Sequence, residues 1–591
     1  MSATSQKNES RPVYQVGAAK AEITAFFPGV GMMGYGMYHQ FVEQVETPLF
    51  ARAVIIKTGP EGKKVAWVNA EICFVSLAIK AAVLERLGTA KGVTGYCDEN
   101  VMITAQHTHS GPGGYSHYPL YNLSIPGFMP QVFDGIVQGM VEAIVQADLM
   151  ARPATIRFAS GGFPMNCDVA FNRSLAAYNR NPEVTIKRGE GEANAAVDRR
   201  MLLFRFDDSA GNPIASWNFF GVHATSISND QHRICSDNKG YAASRMEQAM
   251  AAVSGREVVS VFAQRKAGDV TPNYVYDIRK RRTRGRHEDD FESARHNGSL
   301  QFEKAMELFQ SAAGQGEMPV ELDCALSWLD FTRASVDPEF CQGERDVKTG
   351  LACHGVAFMK GTREGPGISG PAVWILSRLS RALKASELLV ARCSGSGAMA
   401  KVCEKFRIHG EKDIALEAGE GRVFGVSRLS KVPLPGFLNG ALAAFKQFHA
   451  NGSLSGIPWI PQVLPLQLMI VGEHAFAGIP GEVTTVAGQR IENSLLDILR
   501  TRGVTEVVAA SYCNGYCGYL TTPEEYEVQA YEGGHTVFGK HTLGAVQTRF
   551  RQMAIEMLKP EAERRIHDDG APRAFTPEEL ALRSFDIRFR K

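Results

Sequence analysis

The sequence has almost no net charge: 64 lysines and arginines stand against 63 aspartates and glutamates in 591 residues, a formal balance of +1. Bulk charge therefore singles out neither nucleic acid nor an anionic membrane as the main partner. Long apolar runs are missing as well. A membrane-spanning helix needs roughly 18 or more apolar residues in a row, and the best window, Val132 to Leu149, is broken by Asp134, Glu142 and Asp148. The polar start MSATSQKNESRP has no apolar stretch and no small-residue cleavage site, which reads against a secretory signal. The eleven cysteines are odd in number and form no regular framework, a usage that points to free thiols in a reducing compartment. Cys513 and Cys517 have C-x3-C spacing without a second pair of zinc-finger spacing, so they read as structural thiols. Together these absences predict a cytoplasmic protein.

What is present is an ordinary globular balance, 44% hydrophobic and 21% charged, which excludes a disordered or collagen-like chain. At roughly 150 residues per domain the length allows about four domains. Strands are predicted at Ala51–Thr58, Lys64–Ala70, Val101–Gln106, Ala154–Ala159, Met201–Phe206, Ile214–Val222, Val258–Ala263, Leu466–Val471, Ala475–Ile479 and Glu506–Ser511. Helices are predicted at Val75–Leu87, Gln131–Ala147, Tyr241–Val253, Val483 to about Leu499, and Leu543–Leu558. The pattern is α/β, with mixed sheets flanked by helices. The basic run Arg279–Arg286 is followed at once by acidic residues and reads as a solvated loop rather than a nucleic-acid patch. A stretch from about 370 to 455 mixes Gly/Ser turns with Lys/Arg-rich helices and reads as an inserted cap or an interaction element. Gly29–Gly34 satisfies G-x-G-x-x-G, but it lacks the strand–turn–helix context of a dinucleotide site.

The strongest local signal is VMITAQHTHSGPGG at Val101–Gly114. Residues i and i+2 of a strand share a face, so His107 and His109 are expected side by side at a strand end, where ligand sites of open α/β sheets collect. Two such imidazoles suit a divalent metal such as zinc; a pair of hydrogen-bonded surface histidines is the plainer alternative. His223 ends the run IASWNFFGVH and, taken singly, reads equally as a satisfied buried histidine. Glu482 follows AFAGIPG and opens a helix, where a first-turn acid is favoured by the helix dipole alone. The tyrosines of NGYCGYLTTPEEYEVQAYEGG have aromatic packing as their default. Gly268–Asn273 (GDVTPN) follows a strand and reads as a turn with an exposed hydroxyl, Thr271.

In combination these segments resemble the neutral (non-lysosomal) ceramidase family. The matching pieces are MMGYG at Met32–Gly36, HTHSGPGG at His107–Gly114, FNRS at Phe171–Ser174 and the VH-T-S segment around His223. They continue with FAQ-x-x-AGDVTPN at Phe262–Asn273, KGT-x-x-GPG at Lys360–Gly367, PLQ…GIPGEVTTVAG at Pro465–Gly488 and YLTT-x-EEY…YEGG at Tyr519–Gly534. They occur in family order over roughly residues 12 to 541. The resemblance implies one large catalytic domain over 13–541, after a flexible tail at 1–12 and before a C-terminal helix and tail at 542–591. It implies a zinc ion held by His107, His223, Glu482 and Tyr519, with His109, Arg173 and Tyr531 as the surrounding and substrate-polarising groups. The family's reactive serine falls on Thr271, a departure that narrows the site by one methyl and stiffens χ1; threonine serves as a nucleophile when a base activates it. The family also commonly adds a C-terminal β-sandwich, whereas only 50 residues follow His541, about half of the ~100 such a fold needs.

The activity implied is zinc-dependent hydrolysis of the amide of an N-acyl lipid, ceramide-like. Alternatives are a hydrolase of another N-acyl or ester substrate on the same scaffold, or a catalytically weak metal-containing binding protein. The sequence carries no signal for the oligomeric state.

Overall fold

The computed structural model describes residues 13–584, except 60–61, 123, 126, 426–449, 451, 453 and 455. The tail expected at 1–12 lies outside the described residues, as does 426–449 of the expected cap. Two sheets form the centre. The larger has eight strands in the order Val259–Ala263, Pro213–Phe219, Arg200–Asp208, Arg152–Gly162, Tyr14–Glu22, Phe50–Lys57, Lys64–Ala70, Val101–Ala105. Its inner pairings are antiparallel and its two outermost are parallel. The smaller sheet orders Leu322–Asp330, Val463–Val471, His474–Gly478 and Glu506–Ala510.

The strands bury large apolar side chains on the face between the sheets: Trp67, Phe204, Trp217 and Phe219 from one, Met469, Phe476 and Val508 from the other. Trp67 lies 5.2 Å from Phe476 and 5.2 Å from Trp217, centroid to centroid. The outer faces are covered by helices. Leu77–Thr89 and Pro130–Leu149 pack in one core cluster on the larger sheet, and Thr485–Leu499 with Thr542–Met557 cover the smaller. The result is helix, sheet, sheet, helix, the mixed α/β class the sequence predicts.

The strand Tyr14–Glu22, central in the larger sheet, escapes the periodicity because it is rich in small residues. Their size is required there. A Cβ on Gly17 would stand 1.9 Å from the carbonyl oxygen of Ala147, so only glycine lets the helix Pro130–Leu149 close on this strand. The helix Asp290–Ala312 is also absent from the sequence reading, although its start is encoded: the Asp289 side chain accepts from the Glu292 backbone N–H, an N-cap. The run Arg279–Arg286 is an exposed turn at Arg279–Arg281, as a solvated loop would be, but not throughout. It carries a strand, Arg282–Arg284, paired with Val275–Asp277, and Arg282 is buried, donating to Asn229, Ser228 and Asp230. A guanidinium with that many acceptors leaves water readily, and charge runs alone do not reveal them. The polar tail after Met557 is likewise docked: Arg564 pairs with Asp323 and Arg549 with Asp569, and Arg583 donates to the carbonyl of His117.

Candidate functional site

Five strands hand their following residues to one place. Beyond Ala105 comes His107, beyond Phe219 comes His223, beyond Ala263 comes Thr271, beyond Gly478 comes Glu482 and beyond Ala510 comes Tyr512. Two of these strands are opposite edges of the larger sheet. Strands twist by roughly 20–25° per step, so across such a sheet the rotation accumulates to about half a turn and edge strands of opposite nominal sense end up pointing together. Gln264 closes the gap, its side-chain amide donating to the Gln106 carbonyl at 2.9 Å.

His107 and His223 are buried, and each has its Nδ1 committed. His107 Nδ1 donates to the Cys73 carbonyl at 2.5 Å, and His223 Nδ1 to that of Ala267 at 2.7 Å. Both rings therefore turn Nε2 toward the site, the orientation in which a backbone carbonyl positions a metal-binding imidazole. Those atoms converge on Glu482 Oε2, at 3.5 Å from His107 and 3.1 Å from His223. The Tyr519 hydroxyl stands 3.4 Å from His223 Nε2. A tetrahedral ion with ligands at about 2.0–2.2 Å separates them by about 3.3–3.6 Å, so the spacing fits zinc. Tyr512 and Tyr516 hydroxyls donate to the two Glu482 oxygens at 3.1 and 2.6 Å and hold the carboxylate in place. Burial works against charge throughout, yet Glu482 lies well below the carboxylate range because His107 and then His223 outweigh it. His107, against burial but beside Glu482 and Cys73, is pushed up to about 10. The donor set is built around one positive charge.

The elements holding these groups differ from the sequence reading in instructive ways. His107 is beyond the strand and has φ of +79°, so strand alternation does not bring it to His109. The left-handed turn does, with the two Nε2 atoms 3.0 Å apart. Tyr512, stacked on His107 at 4.1 Å, also has positive φ, +57°; such outliers concentrate at functional sites. Glu482 does not open a helix: it sits in a two-residue strand beside Tyr519, and the helix begins at Thr485. Thr271 is neither exposed nor in a turn. It is buried in a short strand paired with Phe171–Asn172, and its hydroxyl donates to Glu364.

Around the three buried ligand candidates lie the other expected groups. Arg173 donates to Glu532, Glu364, the Gly268 carbonyl and the Tyr519 hydroxyl, the last at 2.8 Å. With four of its roughly five N–H groups engaged, it orders Tyr519 and Glu364 before it meets anything else. The ring of Tyr531 lies 5.5 Å from that of Tyr519, edge to face, and stacks on Phe358. His109 Nδ1 is buried with no hydrogen-bond partner among the described residues. Burial, then His107 and His223, hold His109 well below the ordinary imidazole pKa, hence neutral.

Glu364 is absent from the sequence reading. It occupies a variable position of KGT-x-x-GPG and accepts from Thr271, Asn273 and Arg173. Burial raises its pKa, but Arg173 and then His223 more than offset this, so it is a carboxylate. A motif written without that position hides it. Cys73, Tyr512 and Tyr516 were likewise unmarked, because their roles depend on contacts distant in sequence.

The family model described as neutral/alkaline non-lysosomal ceramidase, N-terminal, matches residues 14–424 and 447–548. The neutral ceramidase of Pseudomonas aeruginosa is 33% identical over 554 residues, covering 92% of this chain and 72% of that protein. Neutral ceramidase B of Dictyostelium discoideum is 31% identical over 586 residues, covering 93% and 73%. A solved ceramidase complexed with C2 superposes with a TM-score of 0.76 at 31% identity, covering 95% of this chain and 77% of that one. By these matches, and by the fold they share, the chain belongs to the neutral/alkaline non-lysosomal ceramidase family.

Proposed function

We propose that the chain is a zinc-dependent amide hydrolase whose substrate is ceramide or a closely related N-acyl lipid. The observation that carries this reading is the convergence of His107, His223 and Glu482 donor atoms within 4.8 Å of one another, with the Tyr519 hydroxyl beside them. His107, His223, Glu482 and Tyr519 would hold the ion. A zinc ion there supplies Lewis-acid polarisation of a carbonyl and lowers the pKa of water.

The chain's own residues divide the remaining work. Glu364, a carboxylate hydrogen-bonded to the Thr271 hydroxyl, takes its proton and so activates it, the nucleophile–base pairing of covalent catalysis. His109 is neutral and can accept a proton at the bare Nδ1 or pass one from Nε2 toward the leaving amine. Tyr531 and the remaining N–H of Arg173 stabilise developing negative charge on the carbonyl oxygen. The added methyl of Thr271 favours a less crowded acyl group than serine would accept. Eleven free thiols fit a reducing compartment, and we place the protein in the cytoplasm on that basis.

Hydrolysis of ceramide by the purified protein, measured beside short N-acyl amines and esters, tests the reading. Ceramide is expected to turn over fastest. Faster turnover of a different amide would assign another substrate on this scaffold, and none at all would favour a metal-containing binding protein.

A further inference from the structure

We infer that the helix Gly370–Ser394 is a docking surface for an anionic lipid membrane, lying in the interface without crossing it. It has two unlike faces. Val373, Leu376 and Leu383 pack on the cluster of Val356 and Phe424, and the Ser380 hydroxyl donates to the Ile414 carbonyl. The other face points away from the protein and is apolar. Trp374 is 61% exposed, Ile375 59%, Leu389 64% and Val390 63%. At 100° per residue Ile375, Leu389 and Val390 fall within one stripe. Isolated apolar residues on a surface are normal, but a contiguous stripe of this size marks an interaction site.

The occupant is argued from charge. Along one edge of the stripe run Arg378 and Arg392, with the Arg378 guanidinium 5.3 Å above the Trp374 ring, while Arg381 on the same edge is already paired with Asp413. The helix has a single acid, Glu387, and it is turned inward to Lys405. Apolar residues with Trp at the margin, flanked by arginines and free of outward acids, are the composition of an interfacial helix on anionic lipid. The near-zero net charge of the whole chain does not oppose this, because the attraction is local and falls off within a Debye length, about 8–10 Å. No described residue covers the stripe, and no described helix is long and apolar enough to cross a membrane.

Position adds the functional sense. The helix begins six residues after Glu364, and its Val373 and Leu376 share a cluster with Val356 and Met359, which flank the Phe358 that stacks on Tyr531. A lipid surface engaged by the first turns of this helix would lie on the side of the Val356–Met359 segment that leads to Tyr531. This sense rests on the lipid-hydrolase reading; docking itself does not.

The test is co-sedimentation of the full chain with vesicles of phosphatidylcholine, with and without phosphatidylserine, and it has no activity readout. Binding is expected to be stronger with phosphatidylserine and to weaken about tenfold in the double variant Ile375→Asn, Leu389→Asn, which removes two buried-on-docking side chains. Arg378→Glu is expected to erase the phosphatidylserine preference. Trp374 is the only one of five tryptophans that is strongly exposed, so the blue shift on mixing should vanish in Trp374→Phe. Hydrolysis of a detergent-dispersed short-chain amide should be unchanged in the asparagine variant. No sedimentation, or equal sedimentation of wild type and both variants, overturns the inference. So does shielding of Trp374 from iodide without lipid, which would mean that residues 426–449 or a second copy occupy the stripe. If docking holds while no lipid amide is cleaved, the functional reading fails and the docking surface stands.

Discussion

At the scale of single residues, the chemistry depends on which atom of each side chain is left free. His107 and His223 spend Nδ1 on backbone carbonyls and keep Nε2. Removing either imidazole leaves too few ligands, and metal analysis of the purified protein is expected to find one zinc per chain in the wild type and well under that in His107→Ala and His223→Ala. Full occupancy in both variants would refute the ligand assignment. Thr271 spends its proton on Glu364. Thr271→Ala is expected to lose roughly 10² or more in rate, the usual scale for one catalytic donor, with zinc content unchanged, while Thr271→Ser keeps or raises activity. Alanine as active as threonine on every amide tested would make the residue structural.

Short irregular elements, rather than the long strands and helices, set the angles in the site. The loop at Met32–Gly34 pairs with Gly111–Pro112 and lays Gly34 against the ring of His109. Gly34 has φ of +130°, and a Cβ there would meet His109 Cγ at 2.4 Å. Gly34→Ala must therefore move the imidazole as well as strain the backbone. A misplacement of about 1 Å can cost roughly 10²-fold in rate, so kcat is expected to fall by about that much with zinc still bound. Wild-type turnover in this variant would mean that the place of His109 does not matter. Gly34 is also the last glycine of the G-x-G-x-x-G pattern, and its lack of a side chain permits this close approach.

Over the whole molecule, distant ion pairs fasten the C-terminal segment to the smaller sheet. Asp323, on the strand Leu322–Asp330, pairs with Arg564 and Arg502. Burial raises its pKa, but the two arginines and then Lys63 outweigh this and hold it at about 2, against an ordinary 3.8. A carboxyl depressed in the folded state contributes stability fully above the unfolded pKa, near 3.8, and loses it as pH falls through about 2. Asp323→Asn is expected to lower Tm at neutral pH, with the gap to wild type closing between about pH 4 and pH 2. A gap of constant size down to pH 2 would show that the aspartate acts through packing and not charge.

Much was legible in the sequence, for physical reasons. The periods of 2 and 3.6 come from covalent geometry, so the strand Val101–Ala105 and helices such as Pro130–Leu149 and Thr542–Met557 were marked within a few residues. His107, His223, Glu482 and Tyr519 were named together by the family resemblance, since the local pattern around each left a plainer structural reading open. Tyr14–Glu22 was not legible, since its small residues answer to a helix more than a hundred residues away in the chain. Nor was Glu364, whose meaning lies in Thr271 and Arg173, each from a separate segment. Local sequence by itself determined most of the long elements. Tertiary structure alone decided which edges meet, that His107 reaches its partners through a left-handed turn, and that Thr271 is buried against a carboxylate. Those outcomes depend on sheet twist and on contacts between distant segments, which no local pattern encodes.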